Sequence, residues 1–206
     1  MGAVSGRGMT GPREAADDDL LQRLATGDEA AFTAVYRLWQ GPIFRFGLRM
    51  SGSPQVAEDV TQEVFMALIT GAGRYDPARG SLPSYLFGIA RNQALRRLEK
   101  ERPYVAIPEG EHEGPSLDPS VFEDLARGER IRRVREAVLG LPPHYREVVV
   151  LFDLQLLSYQ ETADALGCAV GTVRSRLHRA RAMLLARLAE PDAREAGPEV
   201  RAGGAP

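Results

Sequence analysis

Three observations predict an all-α protein of two small helical domains joined by a flexible linker. Apolar residues recur at helical spacing in several segments, each opened by a capping residue. Residues Arg102 to Ser120 hold four prolines and several acids with no helical pattern, which reads as a linker. Ser158 to Arg181, SYQETADALGCAVGTVRSRLHRAR, combines a helix start, a sharp turn and an Arg-rich second helix.

Taken in order, Met1 to Ala16 is Gly-rich and Pro191 to Pro206 is rich in Gly, Ala and Pro, so residues 1–16 and 191–206 are expected to be disordered tails. The first domain is placed at 17–102, the linker at 103–121 and the second domain at 122–190. Asp28 is suited to cap a helix carrying Phe32, Val35, Tyr36 and Trp39. That helix is expected to end or kink at Gly41-Pro42 before Ile43 to Met50 continues. Ser53-Pro54 supplies a cap followed by proline at the first helical position. The next helix turns Ala57, Val60, Val64 and Leu68 inward and leaves Glu58, Asp59, Gln62 and Glu63 mainly outward. After a loop at Gly71 to Ser81, a helix from near Pro83 carries Leu86, Ile89, Ala90 and Leu98, with Arg91, Asn92, Arg96, Arg97 and Lys100 among its polar positions.

In the second domain, Ser158 and Glu161 have the spacing of a capping box. Ala163, Leu166 and Val170 supply apolar contacts, and Gly167 stands where the chain must leave the helix. A second helix from near Ala169 puts Val173, Leu177, Ala180 and Leu184 on one side and Ser175 and Arg179 on the other. Thr172 and His178 flank that polar face, and Arg174, Arg176 and Arg181 lie along its borders. On charge pattern alone this is an amphipathic helix with a solvated Arg face. The capping box, small Ala163, turn Gly167 and Val173 at helix-turn-helix spacing make it a recognition helix instead. Arg can bond guanine bidentately, border arginines can reach phosphates, and the N-terminal turn is expected to enter the major groove.

The 206 residues are 44% hydrophobic and carry a net charge of −2, with a pI near 6.0. That balance argues against a free-standing, nonspecific nucleic-acid binder. Acids gather at Glu14 to Asp19, at Glu58, Asp59 and Glu63, and at Glu109 to Glu113, whereas arginines dominate two helices. Such a chain is expected to meet DNA at local patches while a larger partner supplies the rest. Its apolar runs, Val148 to Phe152 among them, are too short for a membrane helix, and Met1 to Asp19 lacks a signal-peptide core, so a cytoplasmic protein without membrane insertion is expected. Cys168 is the only cysteine, which rules out an internal disulfide and a Cys-cluster zinc site and favours a small packing role. No metal and no cofactor are expected.

SYQETA, followed by GTVRSRLHRARAML, resembles region 4 of bacterial sigma factors of the extracytoplasmic-function (ECF) group within the sigma-70 family. Leu141 to Val148, LPPHYREV, is similar to that group's LPP-x-x-RE-V approach to the domain. Glu58 to Phe65, EDVTQEVF, resembles the group's EDLVQEVF in region 2, which docks on the clamp helices of the polymerase β′ subunit. The resemblance therefore implies core-polymerase binding by Asp59, Gln62 and Glu63. Ser84 to Asn92, SYLFGIARN, resembles S-W-L-Y-x-IARN, which leads into the helix that reads the minus-ten element.

From that likeness Asn92 is expected to contact an unstacked base, with Arg79 and Ser81 helping to form its pocket and Arg91, Arg96, Arg97 and Lys100 binding phosphate. Thr172, Arg174, Ser175, Arg176, His178 and Arg179 are the candidates for minus-thirty-five DNA. Two positions depart from the pattern. Tyr85 replaces the usual Trp, expected mainly to change core packing, and Arg96 replaces a common Asp, which alters local charge. Regions one and three of larger sigma factors are expected to be missing.

The resemblance implies a dissociable initiation subunit whose partners are core RNA polymerase, through the β′ clamp helices and the β flap, promoter DNA and an anti-sigma factor. A stand-alone helix-turn-helix regulator is the alternative, but it gives no reason for the EDVTQEVF and IARN segments. An enzyme is disfavoured. Asp59 and Glu63 lack a convergent His or further acidic motif, and His112, His144 and His178 lie in separate contexts.

Overall fold

The computed structural model describes Leu20, Arg23, Leu24, Tyr75 and residues 26–71, 80–100 and 119–189. Both expected tails, most of the linker, the Glu109 to Glu113 acids, His112 and Arg79 lie outside the described residues.

Helix α1, Glu29–Ser51, starts where the Asp28 carboxylate accepts from the Ala30 and Ala31 N–H groups at 2.8 and 3.2 Å. It closes on Gly52 at φ 77°, in the left-handed region that glycine adopts without strain. Of the two outcomes expected at Gly41-Pro42, an end or a kink, the end is excluded: α1 continues through Pro42. A helix-interior proline costs roughly 3 kcal/mol, and burial of Val35 on one side of it and Ile43, Phe46 and Met50 on the other opposes that cost. Helix α2, Pro54–Gly71, follows as expected, with Ser53 Oγ accepting from the Val56 N–H at 3.3 Å. Its Ala57, Val60, Val64 and Leu68 are buried, and Gly47 of α1 lets the two helices approach at Ala57.

Helix α3, Leu82–Lys100, packs across both. Its buried stripe is Leu82, Leu86, Phe87, Ala90 and Ala94. Ile89 and Leu98, two of its expected apolar residues, are half-buried. Phe87 packs against Phe46 and edge-on to Trp39, and Ile89 lines a cleft at the flank.

The second unit comprises α4, Pro119–Leu139; α5, Pro143–Val149, running into a π turn at Val150–Leu154; α6, Tyr159–Leu166; and α7, Val170–Ala189. Pro143 takes the first position of α5. The apolar run becomes the end of α5 and the π turn, burying Val148, Val149, Val150 and Leu151 in the same core as Val173, Leu177 and Ala180 of α7.

The two units close on one another. Helix α3 lies along α6, and the C-terminal half of α1 meets α4, α5 and the π turn. Arg146 donates to the carbonyls of Met50, Leu139 and Leu141, joining both units through backbone oxygens. Burial, with Arg187 nearby, pushes the Arg146 guanidinium pKa below its usual value. Arg49 donates to the Leu154 carbonyl at 3.2 Å and Gln155 to the Pro42 carbonyl at 3.1 Å. The all-α architecture is as expected. The closure between its halves had no signal in the sequence.

Candidate nucleic-acid interface

The α6–turn–α7 unit is built by local chemistry. Ser158 Oγ accepts from the Glu161 N–H at 3.1 Å, and the Glu161 carboxylate accepts from the Ser158 N–H at 2.8 Å. Gly167 takes φ 63° and ψ 39°, and the next N–H, of Cys168, bonds the Ala163 carbonyl at 3.0 Å. Val173, Leu177 and Ala180 anchor α7 while Arg174, Ser175, His178 and Arg179 are exposed and Thr172 is half-buried. A polar face backed by an anchored apolar stripe is presented without cost to the core.

Other residues hold some of these arginines. The Arg174 guanidinium lies 5.2 Å from the centre of the Tyr159 ring. Arg181 pairs with Asp153, which raises its pKa above the usual value, and lies 5.8 Å from the Phe152 ring centre. Arg176 is not on the open face in the way its neighbours are: its Nη1 stands 3.3 Å from the carboxylate of Glu147.

The minus-ten candidates divide between two sides of α3. Ser81, Arg91 and Asn92 share one cleft with Tyr75, Tyr85 and Ile89. Arg96 lies one turn beyond Asn92 on the same side and is exposed. Arg97 is on another side, 3.6 Å from Asp59 and 4.0 Å from Glu63, so it neighbours the polymerase-binding candidates and not the Ser81 cleft. Tyr85 packs against Tyr75, whose hydroxyl donates to the Gly80 carbonyl at 3.0 Å. Arg91 Nε donates to Glu147 at 2.7 Å.

On α2, Gln62 and Glu63 are exposed and Asp59 is half-buried. Gln62, with Glu58, borders an open groove between α1 and α2 floored by Phe32, Tyr36, Phe65, Met66 and Ile69, whereas Asp59 and Glu63 face Arg97 of α3. Met66 and Ile69 expose 50% and 55% of their surface, an apolar edge beside an acidic one. The periodicity marked the acidic residues but not this groove. It also assigned no role to Glu147, although an acid beside the run Val148 to Phe152 is a local sign of a buried charge needing partners. Among the described residues no cluster of three His, Cys, Asp or Glu side chains is placed to hold a metal ion. No described helix is long and apolar enough to cross a membrane.

An α-helical unit carrying Ser81, Arg91 and Asn92 on one cleft is followed by a helix-turn-helix with an exposed Arg face. The family description "Sigma-70 region 2" matches residues 35–104, and "Sigma-70, region 4" matches residues 131–184. The ECF RNA polymerase sigma factor SigE of Mycolicibacterium smegmatis is 37% identical over 167 residues, spanning 78% of this chain and 63% of that protein. SigM of Mycobacterium tuberculosis, also an ECF RNA polymerase sigma factor, is 35% identical over 179 residues, 86% of this chain and 87% of the relative. The solved structure of CnrH in complex with the cytosolic domain of CnrY superposes with a TM-score of 0.64 at 27% identity, covering 84% of this chain and 97% of that one. The chain belongs to the ECF group of sigma-70 family RNA polymerase sigma factors.

Proposed function

We propose that this chain, as an ECF sigma factor, brings core polymerase to promoters by dividing promoter recognition between its two units. Helix α7 reads the duplex minus-thirty-five element through Arg174, Ser175, His178 and Arg179. The Ser81, Arg91 and Asn92 cleft holds an unstacked base of the melted minus-ten strand, whose lost pairing is replaced by edge hydrogen bonds and stacking surface. Asp59, Gln62 and Glu63 dock on the β′ clamp helices, with the apolar groove beside Gln62, and the second unit meets the β flap. The observation that carries the reading is the anchored α7, with Val173, Leu177 and Ala180 buried and the polar face open. The segment joining the units threads along the polymerase, so the enzyme's own scaffold sets promoter spacing. An anti-sigma protein is the expected sequestering partner.

Asp59→Ala combined with Gln62→Ala tests the docking face. The Asp59–Arg97 pair, 3.6 Å apart at the surface, stabilises the fold by less than about 1 kcal/mol. The double variant should therefore keep its helical circular dichroism. Its affinity for core polymerase should fall about tenfold, or ~1.4 kcal/mol. Unchanged affinity in a binding titration would remove these residues from the docking face.

A further inference from the structure

We infer that Phe152 and Tyr159 are positioning residues for DNA: their stacked rings hold Arg174 and Arg181 of α7 as a two-point clamp on the phosphate backbone of the minus-thirty-five duplex. The inference rests on the reading above and narrows it, leaving Ser175, His178 and Arg179 to face the base edges. The ring centres of Phe152 and Tyr159 are 4.3 Å apart, with their planes inclined by 35°. Each ring carries one guanidinium. That of Arg174 lies 5.2 Å from the Tyr159 centre, and that of Arg181 lies 5.8 Å from the Phe152 centre. Both are within the roughly 6 Å at which an aromatic face attracts a cation. The order along the surface is therefore cation, ring, ring, cation.

The helix sets the geometry of the clamp. Seven residues advance α7 by about 10.5 Å and almost two full turns, so Arg174 and Arg181 form one row along its border. Ser175, His178 and Arg179 occupy the neighbouring face, all exposed. In a recognition helix that face meets base edges while the border meets phosphates. Stacking suits this division, because a ring takes the flat face of a guanidinium and leaves the N–H groups around its edge. A phosphate is then bound without breaking the stack. Asp153 fixes the second arginine further, accepting from Nη2 at 2.5 Å and from Nε at 3.3 Å, and among the described residues Nη1 has no partner. Phe152 and Tyr159 are each half-buried, packed on the core below and open to an arginine above. A long side chain that is already ordered loses less freedom on binding, worth about two- to tenfold in affinity for each arginine. Every residue of the stack belongs to the second unit, so the clamp does not depend on how the two units sit.

The test is a double-mutant cycle on holoenzyme assembled from core polymerase and the full-length chain, binding fragments of a mapped promoter with the upstream element intact or scrambled. Tyr159→Leu keeps apolar bulk and removes the ring. It should weaken binding about two- to tenfold on both fragments and leave their ratio unchanged. Tyr159→Phe, which keeps the ring, should bind as wild type. Arg174→Ala should also weaken both, and should lower the slope of log affinity against log salt by about 0.9. Added to Arg174→Ala, Tyr159→Leu should cost less than about twofold more, because the arginine it positions is gone.

Losses that multiply in the double variant, as for a ring that only packs on the core, would overturn the inference. So would a Tyr159→Leu holoenzyme as tight as wild type. An Arg174→Ala loss confined to the intact fragment would place that arginine on a base and overturn the clamp. Should Tyr159→Leu fail to fold, Phe152→Leu with Arg181→Ala runs the same cycle from the other end of the stack, and multiplying losses there would overturn the inference equally. A wild-type holoenzyme that treats intact and scrambled fragments alike would instead remove the minus-thirty-five reading on which the inference stands.

Discussion

Replacing Gly47 by alanine should destabilise the first unit, although alanine is the better helix former. A Cβ at position 47 would sit 2.9 Å from Ala57 Cα and 3.3 Å from Ala57 Cβ. Carbon atoms pack at about 3.5–4.0 Å, so α1 and α2 must part by roughly 0.6–1 Å. The obstructing Cα belongs to backbone and cannot rotate away, which places the strain in the upper part of the ~1–3 kcal/mol range for overpacked cores. Against this stands a helix-propensity gain of about 0.8–1 kcal/mol. The net expectation is a loss of about 1–2 kcal/mol. Gly88→Ala supplies the comparison. There the new Cβ meets the Ala165 carbonyl at 3.6 Å, an ordinary contact, and the propensity gain should leave a stabilisation of about 0.5–1 kcal/mol.

Trp39, the single tryptophan, packs edge-on to Phe87 and reports unfolding of this unit by fluorescence in urea. With a slope of about 1–3 kcal/mol per molar urea, the two midpoints should move in opposite directions by a readily measured fraction of a molar. A Gly47→Ala midpoint at or above wild type would refute the reasoning that backbone contact at Ala57 requires glycine.

Leu156 takes φ 61° and is 83% exposed. A left-handed non-glycine residue costs about 1–2 kcal/mol, so Leu156→Gly should raise the thermal midpoint by several degrees, and a lower midpoint would show that the leucine side chain contributes to the folded state. Thr162 is fully buried with its hydroxyl unpartnered. Thr162→Val keeps the shape and removes an unsatisfied group, for an expected gain of about 1 kcal/mol in a urea melt; a loss would place a hydrogen bond at that hydroxyl. Arg179, exposed on α7, should contribute about 1–3 kcal/mol to discrimination of the minus-thirty-five element. Transcription from intact and scrambled upstream elements measures it, and an Arg179→Ala ratio equal to wild type would contradict the assignment.

What was legible in the sequence was local. The Asp28 and Ser53 caps, the Ser158–Glu161 box and the Gly167 turn are each set by residues two to four positions apart, and all formed as read. The exposed face of α7 followed from periodicity once Val173 was anchored. Local preference left open whether α1 would end or kink at Pro42, and packing on α2 and α3 carries it through. The π turn was hidden, since it has no sequence pattern of its own. The arginines show the limit most clearly. Arg91 and Arg176 look like phosphate contacts by composition, yet their partner Glu147 is 56 and 29 residues away. Only the closure of α3 against the second unit brings them to one carboxylate.

The most direct measurement is transcription by purified bacterial core polymerase on fragmented genomic DNA, with and without this protein, mapping the 5′ ends of the RNA. New start sites sharing two upstream elements, present only when the chain is added, are the expected result. No new starts, together with sequence-specific duplex binding by the chain alone, would contradict the account and point to a helix-turn-helix regulator that acts without polymerase.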